Sequence, residues 1–265
     1  MAKPPPEEFD VRFRGIWGSQ LWLRTFEEAY RGEFPREAAP LSDCTWRTLG
    51  DMVAELRLNP GSILVDIGCG QGGPGCWMAR ALNCELIGID HSKVAVEQAA
   101  ETAKSFNIAE RSTFRLGFLD ATGLPSESAH GVIMVDSMPF AESRTAVLGE
   151  VSRILAPGGR AVITVTEVLD WNPEKPKGVA DWTPLVRAAG LTLTKKIEQS
   201  GVFDRTERLF TLWREQRDAL AIEIGPEAAE LTYQDAEMVS PWVNKRRHVM
   251  LVCEKLARFD VATDR

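Results

Sequence analysis

The chain has 265 residues, a net charge of −7 at neutral pH, 44% hydrophobic residues and 26% charged residues. This composition is typical of a soluble globular protein, and the negative charge argues against nucleic acid or an anionic membrane as the main partner. No stretch resembles a signal peptide or reaches ~18 uninterrupted apolar residues, so we expect a cytoplasmic protein. The five cysteines are an odd number without CxxC spacing, which predicts neither a disulfide frame nor a metal site.

The N-terminal part of the chain reads as helical up to about residue 57. Asn59-Pro60-Gly61 breaks this pattern, and short apolar runs then alternate with helical patterns. The runs are 62–67, 85–90, 112–118, 131–136 and 160–166. Such alternation predicts parallel strands joined by crossover helices, that is, an open Rossmann-like α/β sheet with helices on both faces.

The pattern changes after the fifth predicted strand. A short helix beginning near Asp181 and a strand at 191–199 are followed by a helical insert at about 203–240, broken at Gly225-Pro226, and by a last strand at 247–255. We therefore divide the chain into an N-terminal helical segment or lid (1–57), a ligand-binding domain (58–256) and a C-terminal tail (257–265).

A glycine-rich loop, within "LVDIGCGQGGPG" at 64–75, follows the first predicted strand. Gly68, Gly70 and Gly73 satisfy G-x-G-x-x-G, in which glycine lets the backbone turn tightly and approach a ligand closely. Asp90 lies 20 residues after Gly70, where a ribose-binding acid is expected. The pattern alone also fits a dinucleotide site.

Two further carboxylates narrow the choice of ligand. Asp66 ends the first strand directly before the loop, where it would repel a pyrophosphate but suit an ammonium group. Asp120 follows the third strand, in "DATGLP", where it can accept a hydrogen bond from an adenine amine. With Asp90 on the ribose, these residues indicate a ligand with an amino acid at one end and adenosine at the other.

Five segments together resemble the motifs of the class I S-adenosylmethionine-dependent methyltransferases, in the same order and spacing. They are "VDIGCGQGGPG", "LIGIDHS", "DATGLP", "GVIMVDSMPF" and "ILAPGGRAVITV". The resemblance covers about residues 44–167 and, more loosely, the last strand. The form of the glycine loop is similar to that of the bacterial branch that modifies antibiotics and other secondary metabolites. It implies a seven-stranded sheet of order 3-2-1-4-5-7-6 with strand 7 antiparallel.

The resemblance also implies which residues contact S-adenosylmethionine and its product S-adenosylhomocysteine. Asp90 would bind the ribose hydroxyls and Asp120 the adenine amine. The other cofactor-binding candidates are Asp66, Gly68, Cys69 and Gly70 at the methionine end, Asp136 flanking that end, Trp46 closing over it, and His91, Leu119 and Ala121 near the adenine.

Whether a catalytic base is needed depends on the acceptor. Methyl transfer depends largely on alignment of the nucleophile, but an alcohol or phenol also has to lose a proton. Of the three histidines, His91 belongs to the cofactor site, His130 begins the fourth strand at the far edge, and His248 begins the last strand. Glu167 and Asp136 follow strands five and four on the correct edge and are our candidate bases.

The predicted acceptor is a small, aromatic or apolar natural-product-like molecule, with O-methylation favoured over N- or C-methylation. Six side chains are candidates for an apolar pocket: Trp17, Met138, Phe140, Trp171, Trp213 and Tyr233. A cyclase or isomerase that keeps the cofactor without methyl transfer is an alternative, as is a nicotinamide-dependent reductase. Dimers are common among enzymes of this size, so a homodimer stays open.

Overall fold

The computed structural model describes residues 5–170 and 178–257. The strands are β1 (Ile63–Ile67), β2 (Glu85–Asp90), β3 (Ser112–Leu116), β4 (Ala129–Met134), β5 (Leu155–Val168), β6 (Thr192–Gln199) and β7 (Arg246–Glu254). In these residues they form one seven-stranded sheet of order β3-β2-β1-β4-β5-β7-β6. β7 runs antiparallel to both of its neighbours, and the other pairs are parallel. The predicted fold class and strand order are confirmed.

Ten α-helices accompany the sheet in the described ranges. They are α1 (Pro6–Ile16), α2 (Gln20–Tyr30), α3 (Trp46–Leu56), α4 (Gly73–Leu82), α5 (Lys93–Ser105), α6 (Arg144–Ile154), α7 (Thr183–Ala188), α8 (Val202–Glu215), α9 (Arg217–Ile224) and α10 (Pro226–Val239). Ser92 and Ser143 cap α5 and α6 by accepting hydrogen bonds from backbone N–H groups. None of the described helices is long and apolar enough to cross a membrane.

The helical insert contains three helices where the sequence pattern predicts two. The expected break at Gly225-Pro226 is present, and a second break falls at Gln216, between α8 and α9. No glycine or proline marks this second break, so the sequence pattern does not reveal it.

Helices α1, α2, α8, α9 and α10 pack on one another and share an apolar cluster, and we call them the helical layer. At its centre Trp22 of α2 stacks on Trp213 of α8, with ring centroids 4.9 Å apart. The N-terminal segment and the late insert therefore form a single layer, although they lie far apart in the chain.

The sheet brings four strand ends together at one edge. β1 pairs with β2 on one side and with β4 on the other, so the order of the strands reverses at β1. In open α/β sheets, ligands bind outside the carboxyl ends of the strands at such a reversal. The loops after β1, β2, β4 and β5 therefore define where a functional site is expected.

Candidate active site

The glycine loop between β1 and α4 lies against the loop that follows β4. Gly68 has φ +74°, and a Cβ atom placed on it would lie 2.5 Å from the Cβ of Ser137. The Ser137 hydroxyl in turn donates a hydrogen bond to the carbonyl oxygen of Ile67, at 2.9 Å. Glycine is required at position 68 both for its backbone conformation and for this close approach.

Asp66 is buried beneath the glycine loop, with 3% of its surface exposed. Burial and the nearby Asp90 raise the pKa of Asp66 to about 7, and a hydrogen bond from the backbone N–H of Gly75 opposes this shift. The carboxyl group thus lies at the start of α4, under the position predicted for the methionine end. That it binds the ammonium group stays a prediction.

Asp90 ends β2 and holds two segments of backbone in place. Its Oδ2 accepts a hydrogen bond from Gly70 N at 2.8 Å, and its Oδ1 accepts one from Ser92 N at 2.9 Å. Burial raises the pKa of Asp90, and these backbone N–H groups lower it. Each carboxylate oxygen has a second lone pair, so the group can still accept from the two hydroxyls of a ribose.

An aromatic ring of α1 packs against His91, the residue predicted to lie near the adenine. The ring of Phe9, in α1, packs edge-on against His91 and Phe140, with centroid distances of 4.8 and 5.1 Å. His91 Nε2 is buried and has no hydrogen-bond partner. A buried polar atom without a partner fits a site that a polar heterocycle completes.

The loop after β3 carries the residues predicted to bind the rest of the adenine. Phe118 and Ala121 exchange backbone hydrogen bonds of 3.1 Å, which turn the chain tightly around Leu119 and Asp120. Leu119 is buried against the glycine loop, whereas Asp120 is exposed. Cys69 is buried within the glycine loop, and burial raises the pKa of its thiol far above the usual value.

Asp136, two residues after the end of β4, has polar neighbours on three sides. Its backbone has φ +52°, a conformation that Asp adopts more readily than most residues but that still stores strain. Thr164 of β5 donates its hydroxyl to Oδ1 at 2.7 Å, and Asp43 N donates to Oδ2 at 3.0 Å. His248 of β7 places Nδ1 3.8 Å from Oδ1.

Glu167, the other candidate base, lies near the end of β5 in a different environment. Its side chain is 1% exposed and pairs with Lys196 at 2.6 Å and with Arg247 at 2.8 Å. Because two cations already occupy its oxygens, this geometry suits a structural ion pair better than proton transfer.

The aromatic residues predicted to form the acceptor pocket are not brought together. Met138 and Phe140 lie in the short 3-10 helix that begins directly after Ser137, the residue that contacts Gly68. Trp213 and Tyr233 instead line a separate cavity of about 280 Å³ on the helical layer. Trp17 is 43% exposed at the end of α1.

Two more of the predicted site residues are tryptophans. Trp171 lies outside the described residues. Trp46, at the start of α3, packs edge-on against Trp77 of α4 with 41% of its surface exposed.

The structure adds contacts from α1 that sequence reasoning missed. Asp10 accepts hydrogen bonds from the Ser92 hydroxyl and from Val94 N at the start of α5. The ring of Phe13 lies 3.5 Å from the position of a Cβ atom on Gly70. Acidic and aromatic residues in an N-terminal helix give no sequence signal for this role, because the same residues occur on solvated or core-facing helices.

Residues 64–159 match the family model described as a methyltransferase domain. This match identifies residues 64–159 as a methyltransferase domain, and the sheet order and the loops described above agree with it. Its cofactor is S-adenosylmethionine, and the residues present fit that group: a tight glycine loop, a carboxylate at the end of β2, and an unpartnered imidazole nitrogen beside it.

Two curated relatives illustrate the range of the similarity. A 27-O-demethylrifamycin SV methyltransferase of Amycolatopsis mediterranei is 31% identical over 167 residues, which are 62% of this chain and 60% of that protein. A sterol 24-C-methyltransferase of Candida albicans is 28% identical over 143 residues, 54% of this chain and 36% of that protein. The chain thus matches less than two thirds of the length of either relative.

Solved structures share the fold at low identity. The [4+2]-cyclase SpnF superposes with a TM-score of 0.72 at 18% identity, covering 92% of this chain and 97% of that one. A methyltransferase of Geobacter sulfurreducens in complex with S-adenosylhomocysteine has a TM-score of 0.63 at 21% identity, covering 89% and 98%. At such identities the likeness establishes the fold alone.

Proposed function

We propose that this protein transfers a methyl group from S-adenosylmethionine to a small, aromatic or apolar, natural-product-like molecule, on an oxygen atom. The proposal rests on one observation. The glycine loop is in contact with the polar residues around Asp136, because Ser137 packs against Gly68. A donor site and a possible acceptor site are therefore adjacent. The rifamycin-modifying relative, whose name specifies an O-methylation, supports the choice of atom.

The residues of this chain would mainly bind and orient. When bound, the cofactor supplies a methyl group on a positively charged sulfur, which makes the leaving group a good one. Asp90 would hold the ribose, and Gly68 would let the backbone approach the methionine end. Phe9 and Phe13 of α1 cover this region and would exclude water from it, since reacting groups are best aligned in a dry site.

The acceptor pocket would begin at Met138 and Phe140, which lie beside both the glycine loop and α1. Apolar walls of this kind suit a ring-bearing or aliphatic small molecule. The relatives do not by themselves decide which atom is methylated, because one is named for O-methylation and another for C-methylation.

A second candidate function is a cyclisation in which the cofactor is bound but not consumed. The cyclase structure, which covers nearly the whole chain, is the observation that favours it. The mass of the product separates the two functions, because methyl transfer adds one CH₂ unit and cyclisation adds nothing.

The test is a mass-shift assay with S-adenosylmethionine carrying a deuterated methyl group and a panel of hydroxylated macrolactams, polyketides and phenols. The proposal expects a deuterated product together with S-adenosylhomocysteine from the wild-type protein. Asp90→Ala should give neither. A product of unchanged mass would instead support the cyclase.

A further inference from the structure

A group of buried and half-buried polar side chains surrounds Asp136 at the carboxyl edge of the sheet. We call the five residues Asp43, Asp136, Thr164, Arg205 and His248 the Asp136 cluster. They come from five different segments: the stretch before α3, the loop after β4, β5, α8 and β7. Thr164 fixes Asp136 Oδ1, and Arg205 donates two hydrogen bonds of 3.1 and 3.0 Å to Asp43 Oδ1.

Two atoms of the Asp136 cluster are buried without a hydrogen-bond partner: Asp43 Oδ2 and His248 Nδ1. The Asp43 side chain is 7% exposed. Burial raises the pKa of Asp43, while the nearby His248 and Arg205 lower it. The imidazole of His248 therefore has two carboxylates near it: Asp136, whose Oδ1 lies 3.8 Å from Nδ1, and Asp43.

Because β7 runs antiparallel to β5, its beginning, with His248, lies at the carboxyl edge of the sheet. Within the sheet His248 lies opposite Thr166 of β5 and Gln199 of β6, near the carboxyl end of β5. The charged groups that face it are Asp136 and Asp43, with Arg205 behind Asp43. Gln199 is held by the hydroxyl of Thr48 in α3, at 2.9 Å.

The Asp136 cluster adjoins the cofactor site. Ser137, the next residue after Asp136, touches Gly68 of the glycine loop. Cys44, the residue next to Asp43, is buried, and burial together with the charges of Asp136, Asp43 and Asp66 raises the pKa of its thiol. An acceptor bound beside His248 would therefore stand next to the methionine end.

We propose that His248 is the catalytic base and that the acceptor group is a hydroxyl, with Asp136 as the positioning residue that orients the imidazole. This inference rests on the proposed methyl transfer. Nδ1 faces Asp136, so the proton of the hydroxyl passes to Nε2. The acceptor O–H bond breaks as an oxygen–methyl bond forms, and the electron pair of the methyl–sulfur bond stays on sulfur, which leaves as the neutral thioether.

The two carboxylates then stabilise the imidazolium that forms. A neutral amine or a carbon nucleophile would not need such a base before transfer, because it carries its own lone pair or π electrons. The arrangement of His248 and Asp136 therefore selects alcohols or phenols among the acceptors that the apolar pocket admits.

The first test reads the proton on His248 directly, in protein with ¹⁵N-labelled histidine and bound S-adenosylhomocysteine. Three histidines give a simple spectrum, and His130 is an internal reference because its Nδ1 accepts a hydrogen bond from Ile63 N and must be unprotonated. We expect the opposite tautomer at His248, with the proton on Nδ1. Asp136→Asn should reduce the fraction of His248 that carries its proton on Nδ1, because the charged group facing that nitrogen is lost.

A second readout separates a base from a merely structural histidine. Diethyl pyrocarbonate should modify Nε2 of His248 in the S-adenosylhomocysteine complex, while His91 is protected. With any acceptor that the wild-type protein methylates, His248→Gln should lower turnover by about 10²-fold or more and leave the affinity for S-adenosylhomocysteine unchanged within twofold.

Failure of the inference and failure of the proposed function have different signatures. If S-adenosylhomocysteine does not bind, the proposed function is wrong. If it binds but His248 carries its proton on Nε2, resists modification, or can be replaced by Gln without loss of turnover, only the role of His248 is overturned. A product methylated on carbon or nitrogen would likewise overturn it.

Discussion

The carbonyl oxygen of Phe13, in the first helix, accepts a hydrogen bond from the side-chain amide of Gln71, in the glycine loop, at 3.2 Å. Gln98 of α5 donates to the same oxygen at 3.1 Å, and the two glutamines bond to each other at 2.9 Å. Hydrogen bonds thus connect helix α1 directly to the glycine loop. A bound cofactor would have to enter and leave past this helix.

Gln71→Ala should speed the release of S-adenosylhomocysteine by roughly threefold to tenfold. The substitution removes two hydrogen bonds around Phe13, each with a net value of about 1 kcal/mol, and so lets α1 open more often. Stopped-flow displacement measures the release rate. Gln234→Ala is the matched control, because Gln234 is exposed on α10 and donates a hydrogen bond to the neighbouring Glu230, away from the glycine loop. Equal release rates for both variants would contradict a covering role for α1.

Asp66 should make the free protein less stable as the pH rises. Its pKa is raised from about 3.8 to about 7 in the folded state, so the folded protein favours the protonated carboxyl. The free energy of unfolding contributed by this group therefore falls between pH 4 and pH 7. The full shift corresponds to an amount on the order of 4 kcal/mol.

Asp66→Asn removes this titration and keeps an oxygen that can accept from Gly75 N. We expect the variant to be more stable than the wild type at pH 8, by an amount on the order of 2–4 kcal/mol, and to match it near pH 4. Urea unfolding at both pH values measures the difference, with the exposed Asp218→Asn as the control. A constant gap between variant and wild type at both pH values would refute the burial effect.

Gly68 and Gly123 allow the steric demand of the glycine loop to be measured. Both have positive φ, of +74° and +69°, but a Cβ atom on Gly123 would meet nothing within 4 Å. Gly123→Ala should cost about 1–2 kcal/mol from backbone conformation alone. Gly68→Ala should cost about 1–3 kcal/mol more, because the methyl group overlaps Ser137. Similar unfolding free energies for the two variants would show that the close approach at Gly68 is unimportant.

Glu167→Gln should affect stability rather than cofactor binding. The variant leaves Lys196 and Arg247 without their shared carboxylate, but both cations are partly exposed and can regain water, so we expect a loss of about 1–2 kcal/mol. Its affinity for S-adenosylhomocysteine, measured by calorimetry, should equal that of the wild type. In the mass-shift assay, a loss of turnover at unchanged stability would restore Glu167 as the candidate base.

Much of the fold could be predicted because its signals are local. The apolar runs with intervening helices indicate an open α/β sheet, and the spacing from Gly70 identifies Asp90 as the carboxylate at the end of the second strand, where the structure has it. Ser92 caps the following helix, a role that is typical of a serine directly before a helical pattern. These features depend on residues close in sequence or on a motif with fixed spacing.

Contacts between distant segments could not be predicted in the same way. The pairing of His248 with Asp136 depends on the register of β7 against β5, which no single segment encodes. The aromatic character of Trp213 and Tyr233 is the same whether they line an acceptor pocket or, as here, pack among the helices of the helical layer. Periodicity predicts that α1 is a helix but not that it packs on the glycine loop.

The central claim is that the glycine loop and Asp90 bind S-adenosylmethionine. Calorimetric titration of the purified protein with S-adenosylmethionine, S-adenosylhomocysteine and NADH, repeated on Asp90→Ala, tests it most directly. We predict that both sulfur nucleotides bind the wild-type protein, that Asp90→Ala weakens both by about 100-fold or more through loss of the ribose hydrogen bonds, and that NADH does not bind. Binding of NADH in place of the sulfur nucleotides would contradict the account.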